Sequence, residues 1–401
     1  MSQSSQKFDE LLFGIQRRTR LADAFEAGAT PDEVKLGVIQ LLSPYFSNKD
    51  VLDKAAVNVL TSDAIALTSL SKNKLAFDLF EYALAMHQQA YAQDKNVCIR
   101  TSVEWQPAIH EGLSIFWSQY YLELDKTTLQ AEEFLHECLR NLGAKTEGVI
   151  KPLSKELLQQ QRVKNGDYVV KGTTKELDFG IVIDELHRAS PNPNFFAPWG
   201  VRISQWRNIA QHLSASVEGA TFVCKYGRPE KEIRLTRGEL YQITKHMYDA
   251  FSGFRLANSF FAVDQMAELV SAGLTPESMR MRNEMEILHL VSGLASQGFE
   301  VVDFQKNESG AKLVIKDMTS LDPDKRRLHT VQFVGLLWYC TKAPIVTVEY
   351  LQQDGTPNFR TRAPADLFAR IEKEQLPTSV IAEEAEMTDL KNNLVIPKVS
   401  K

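Results

Sequence analysis

Arg207 and His212 stand at the two ends of the run Arg207-Asn208-Ile209-Ala210-Gln211-His212. Side chains of these two types can break a phosphodiester of RNA without a metal. A histidine exchanges protons near neutrality and can move the proton of a ribose 2′-hydroxyl. A guanidinium fork can hold the phosphate at two oxygens and offset the charge that grows on them. The 2′-oxygen then attacks its own phosphorus, so the substrate supplies the nucleophile. Competing chemistries have less support. The chain has no phosphate-binding Gly-x-x-x-x-Gly-Lys-Ser/Thr loop, no dinucleotide glycine fingerprint after a strand and no Gly-x-Ser-x-Gly elbow. His136-x-Cys138 lacks nearby partner ligands for zinc. His87, His110, His187, His246, His289 and His329 are isolated and read as surface or core histidines.

Spacing constrains how the pair can work. Each residue turns a helix by about 100°, so positions five apart lie about 140° apart around it. Arg207 and His212 therefore do not share a face, whereas Asn208 and His212, four apart, do. Either His212 sits at a helix end or bend, or the two groups converge across a dimer axis. Ser214-Ala215-Ser216 and the strand pattern beyond favour a helix end at that point. Asp184 and Glu185, on the preceding helical stretch, either orient His212 or face solvent.

The elements around the motif read as mostly helical. Thr30-Pro31-Asp32-Glu33 starts a helix that Pro44 stops, and helical stretches follow over 49–69 and 74–93. Trp105, Ile109, Leu113 and Phe116 fit a buried helix. A periodic segment over 127–161 is expected to break at Gly143, Gly148 and Pro152. A helix over 175–189 ends at Ser190-Pro191-Asn192-Pro193-Asn194, and the motif helix is expected over 199–213. Ala220–Tyr226 and Lys231–Leu235 alternate as the strands of a polar hairpin. Thr236-Arg237-Gly238-Glu239 is a capping box for a helix reaching Val263.

The Arg-Asn-x-x-x-His pattern, ending a helix and followed by a hairpin and a capped amphipathic helix, resembles the active-site motif of HEPN domains (higher eukaryotes and prokaryotes nucleotide-binding domains). The order of elements is similar to HEPN domains of bacterial abortive-infection proteins, over about residues 125–265. The resemblance implies an all-α bundle, metal-independent RNA cleavage and two motifs paired across a homodimer. Arg207 and His212 would be catalytic, with Asn208 orienting the histidine or the phosphate and Gln211 supporting. It further implies an endoribonuclease acting as a toxin or antiviral effector, with no cofactor and no metal. The other readings are a non-catalytic HEPN-like bundle that dimerises or holds a partner, and a metal-dependent nuclease in the C-terminal region.

That last reading rests on Asp303 and Val314-Ile315-Lys316, which loosely resemble the core of restriction-type nucleases. Those hold magnesium with Asp and then Asp/Glu-x-Lys, and here Val314 replaces the second acid. The organisation expected is an N-terminal helical region (1–104), a HEPN-like bundle with an inserted β-hairpin (105–270), a small α/β domain with a mostly antiparallel sheet (275–375) and a flexible tail (376–401).

Composition bounds the rest. Of 401 residues, 44% are hydrophobic and 24% charged, which supports a core of real size. A net charge of −5 argues against a protein that coats nucleic acid non-specifically, though not against a local basic patch. Lys72, Lys74 and the Arg17-Arg18-Thr19-Arg20 cluster read first as solvated faces. No apolar run reaches the ~18 residues of a membrane span, and the first residues lack the apolar core of a secretory signal. Cys98, Cys138, Cys224 and Cys340 are far apart and form no Cys-x-x-Cys pair. They read as reduced, buried thiols of a cytoplasmic protein. The expected partners are an RNA substrate, a second copy of the chain, and a regulatory protein or nucleic-acid trigger.

Overall fold

A computed structural model of the chain describes residues 21–57, 59–119, 129–275, 283–392 and 394–396. The Arg17–Arg20 cluster lies outside these residues. The described chain is mostly helical with two separate β-sheets, and it divides into two compact units. One comprises Tyr45–Val51 and Ala66–Met281; the other comprises the residues before Tyr45, Leu52–Ile65 and the residues from Arg282 onward.

This division corrects the expected N-terminal helical region, which is shared between the units. The Lys74–Gln93 helix belongs to the first because it lies along the Arg237–Asp264 helix. At their crossing, a methyl on Gly253 would stand 3.1 Å from the Ala76 carbonyl, and Phe80 meets Phe260 edge to face at 5.4 Å. Phe25 and Ser296 tie the earlier segments into the second unit: Phe25 packs near Gly298, and Ser296 Oγ donates to the Val57 carbonyl at 2.8 Å.

In the first unit the Arg237–Asp264 helix is the longest element. Thr236 and Glu239 cap it reciprocally, each accepting the other's backbone N–H. Its far end is tied by Asp264, whose carboxylate accepts the backbone N–H groups of Ser47 and Asn48. A continuous helical rod runs through Ala131–Lys145, a π-helical turn at Thr146–Ile150, and Lys151–Lys164. The breaks expected at Gly143, Gly148 and Pro152 do not occur. Gly143 and Gly148 are contact points instead: Gly143 faces the Ala210 methyl, and a methyl on Gly112 would fall 1.9 Å from the Gly148 carbonyl oxygen. Pro152 sits in the first turn after the π turn, where proline is tolerated.

The Lys151–Lys164 segment is polar in sequence yet central in position. Ser154, Glu156, Gln159 and Gln160 have no exposure at all. Burial of such groups requires partners, and Gln159 Oε1 accepts from Trp105 Nε1, the Thr174 amide and Thr174 Oγ1. Gln160 Nε2 donates to the Cys98 carbonyl and to Ser102.

The expected hairpin is a three-stranded antiparallel meander: β1 (Ala215–Glu218), β2 (Thr221–Tyr226) and β3 (Lys231–Leu235), with Ala215 opposite Cys224 and Cys224 opposite Ile233. The second unit carries a six-stranded sheet in sequence order: β4 (Phe299–Asn307), β5 (Gly310–Asp317), β6 (Ile345–Leu351), β7 (Pro357–Pro364), β8 (Glu386–Asp389) and β9 (Leu394–Ile396). Only β5 and β6 run parallel, joined through the Pro323–Thr330 and Phe333–Thr341 helices. Residues from 376 are therefore not a tail throughout. Val380–Glu384 is helical, and β8 and β9 extend the sheet beyond β7, with Thr361 opposite Met387.

Candidate active site

The motif helix is Ile203–His212, shorter than the expected 199–213. It starts late because Trp199 adopts a left-handed conformation (φ 54°) in a short 3₁₀ turn. It stops at His212 because Leu213 is left-handed (φ 49°, ψ 39°) and returns its N–H to the Ile209 carbonyl. Ser214 then leads into β1, and its carbonyl accepts the Lys225 N–H. One face of the helix is buried: Ile203, Ser204, Trp206, Ile209 and Ala210. Trp206 is fully buried and donates Nε1–H to the Pro198 carbonyl at 3.3 Å, which fixes the helix in rotation.

That rotation sets the two chemical groups apart. Arg207 flanks the buried face, with a quarter of its side chain exposed, and leans toward the π turn. Asn208 is half-buried; Gln211 and His212 are exposed. His212 thus occupies the helix end, one of the two arrangements its spacing allowed. The His212 ring makes no hydrogen bond with another described residue.

Glu147 joins the site only through the fold. It lies in the π turn, 60 residues before Arg207, and accepts Arg207 Nε–H at 2.7 Å through Oε2. Its Oε1 accepts from Lys151 Nζ one helical turn further on. Arg207 Nη1 donates to Asn208 Oδ1 at 3.1 Å. The guanidinium is thus gripped at Nε and at one Nη1 hydrogen, and its remaining Nη hydrogens make no bond to a described residue. Burial pushes the Glu147 carboxyl up, but the hydrogen bonds and charges of Arg207 and Lys151 outweigh it and hold the group below the usual carboxylate range. It is therefore charged at neutral pH, and the three side chains together carry one net positive charge. The i,i+4 pairing of Glu147 with Lys151 is readable in the sequence; the link to Arg207 depends on how the rod crosses the motif helix.

Asp184 and Glu185 turn elsewhere. Asp184 pairs with Arg202 at 2.5 Å, and Glu185 with Arg162 at 3.3 Å, so neither orients His212. In the second unit Asp303 and Lys316 are not brought together. Asp303 lies opposite Val314 and accepts from Gln305, while Lys316 is opposite Glu300 at 3.8 Å. Lys74 pairs with Asp78 on its own helix at 2.8 Å. The four cysteines are free and buried. No described helix is long and apolar enough to cross a membrane.

A phosphate approaching Arg207 meets a guanidinium oriented by Glu147 and Asn208, with Lys151 on the other oxygen of the same carboxylate, while His212 stands exposed at the end of the motif helix and apart from them. Compared with known proteins, the chain matches no protein-family model, no curated protein and no solved structure.

Proposed function

We propose that the first unit is a HEPN-type bundle and that the chain is a metal-independent endoribonuclease, acting as a toxin or antiviral effector. The observation that carries this reading is the pairing, on one short helix, of an arginine anchored by Glu147 and Asn208 with a histidine left exposed at the helix terminus. An arginine needs anchoring to hold a phosphate in one geometry. A proton-transfer group needs access to the ribose. His212 takes the proton of the 2′-hydroxyl, the 2′-oxygen bonds to phosphorus, and the bond to the 5′-oxygen of the next nucleotide breaks as that oxygen gains a proton. The products are a 2′,3′-cyclic phosphate and a free 5′-hydroxyl. Arg207 and His212 leave the helix about 140° apart, so the proposal includes a homodimer in which two motif helices line one cleft.

A second reading draws on the same ion pair: Arg207 held by Glu147 is also what a purely architectural arginine looks like, in a bundle that binds a partner without cutting RNA. One experiment separates them. The full chain is incubated with a mixed RNA pool in excess chelator, beside His212→Ala and Arg207→Ala. The ribonuclease reading expects cyclic-phosphate ends from the parent. His212→Ala should lose about 10²–10⁴ in rate, with unchanged melting temperature and oligomeric state. A well-folded His212→Ala protein of full activity, or a parent with none, leaves the binding reading.

A further inference from the structure

The Glu147–Arg207–Lys151 cluster does more than a surface ion pair would need. An isolated exposed pair joins one cation to one anion and contributes little. Here one carboxylate spans two cations, one through each oxygen, from the π turn of a rod that crosses the motif helix. π turns within α-helices occur frequently at functional sites. This one is fixed by close backbone contact, since the Gly148 carbonyl leaves no room for a side chain at residue 112.

The geometry at Arg207 is specific. Glu147 takes Nε–H, on the inner edge of the guanidinium, and Asn208 takes one Nη1 hydrogen. The remaining Nη hydrogens make no bond to a described residue and are left to take phosphate oxygens. Lys151 is held by the other oxygen of the same carboxylate and keeps 28% of its side chain exposed, so its ammonium lies beside the guanidinium and within reach of solvent.

We infer that Glu147 is the positioning residue for Arg207, and that Lys151 is a second phosphate-binding group, taking the phosphate next to the scissile one along a single RNA strand. The inference rests on the ribonuclease reading. It makes the site a two-phosphate cradle, with the arginine at the reacting phosphorus and the lysine at its neighbour. Lys151 then contributes affinity and Glu147 contributes rate through the orientation of Arg207.

The test measures kcat, KM and their salt dependence on a short single-stranded RNA in chelator, for Glu147→Gln, Lys151→Ala, Arg207→Lys and the double variant Glu147→Gln/Arg207→Lys, with a thermal melt of each. Glu147→Gln is nearly isosteric and is expected to lower kcat about 10- to 100-fold, the cost of a misplaced phosphate clamp, with KM within a few-fold of the parent. In the Arg207→Lys background, where no Nε–H exists to be held, Glu147→Gln is expected to cost nothing further. Lys151→Ala is expected to raise KM several-fold with little change in kcat, and to reduce the slope of log KM against log salt by about 0.7, the value for one phosphate contact on a single strand. A folded Glu147→Gln enzyme as active as the parent or more so, or one that loses equally in both backgrounds, overturns the positioning role. An unchanged salt slope in Lys151→Ala overturns the second phosphate contact. Cleavage that survives Arg207→Lys undiminished removes Arg207 from the site, and a parent that does not cleave removes the ribonuclease reading itself.

Discussion

Glu156 provides a test of the bundle that is independent of RNA. Its side chain is fully buried on the Lys151–Lys164 helix, with one carboxyl oxygen accepting from Ser102 Oγ at 3.0 Å and the other from Asn258 Nδ2 at 2.7 Å. Burial pushes its pKa up to about 8, and the two hydrogen bonds offset only part of that. The unfolded chain releases this proton near the ordinary carboxyl value of 4.5, whereas the folded chain keeps it to about 8. Between those limits the folded state binds more protons than the unfolded one, so stability falls as pH rises through the window and is level above it. This is the reverse of a salt-bridged carboxylate. Each pH unit is worth about 1.4 kcal/mol, so over the window from 4.5 to about 8 the full loss is on the order of 5 kcal/mol. Glu156→Gln keeps the shape without the charge. It is expected to match the parent within about 1 kcal/mol near pH 5 and to exceed it by several kcal/mol at pH 9. The measurement is urea unfolding of the full chain at intervals from pH 5 to 9, taken as the difference between variant and parent so that the other titrating groups cancel. Parallel pH curves, or a variant weaker than the parent at pH 9, would refute the argument that Glu156 is held neutral in the core.

Three more outcomes follow from packing. Gly112→Ala places a methyl against the Gly148 carbonyl; it should lower stability by about 1–3 kcal/mol and also slow cleavage, because Glu147 moves with Gly148, and a melt beside an RNA assay checks both. Thr236→Ala removes the capping box of the longest helix and should cost about 1 kcal/mol, read as a lower urea midpoint. Arg326→Met strands Asp317, which is 2% exposed and bound by Arg326 at 3.0 Å and by Tyr350 Oη at 2.9 Å; an unpaired buried carboxylate should cost about 3–5 kcal/mol, measured as loss of the second unit's unfolding transition.

What could be read beforehand was local. Thr30 and Thr236 announce their helices because a capping box is written in four adjacent residues, and both boxes form. The Lys74–Gln93 helix was legible from periodicity alone. The misses have physical causes. Gly143 and Gly148 looked like helix breakers, yet the helical rod runs through both; Gly143 lies against the Ala210 methyl and the Gly148 carbonyl against Gly112. Burial of Glu156, Gln159 and Gln160 could not be read from the segment itself, because such groups are rarely buried without partners and several of those partners lie more than 50 residues away on the Lys95–Gln119 helix. β1 was hidden because it is only four residues long, and its alternating burial is half-buried against exposed with no fully buried position. At the site, Arg207, Asn208 and His212 were visible as a run of residues, while Glu147 could enter only through tertiary structure.

The order of strands in the second unit has a consequence for the chain while it is being made. The sheet is laid down in sequence order, and β8 and β9 are its last pieces. Until residues past Glu386 have left the ribosome, the outer edge of β7 is an open row of backbone donors and acceptors, and such edges recruit other strands. A nascent chain halted between Pro364 and Glu386 has its sheet core but not its border. Truncation in that interval should yield aggregated protein. The finished edge then falls to β9, whose three residues are too few to template a long intruder even though Leu394 and Val395 remain exposed.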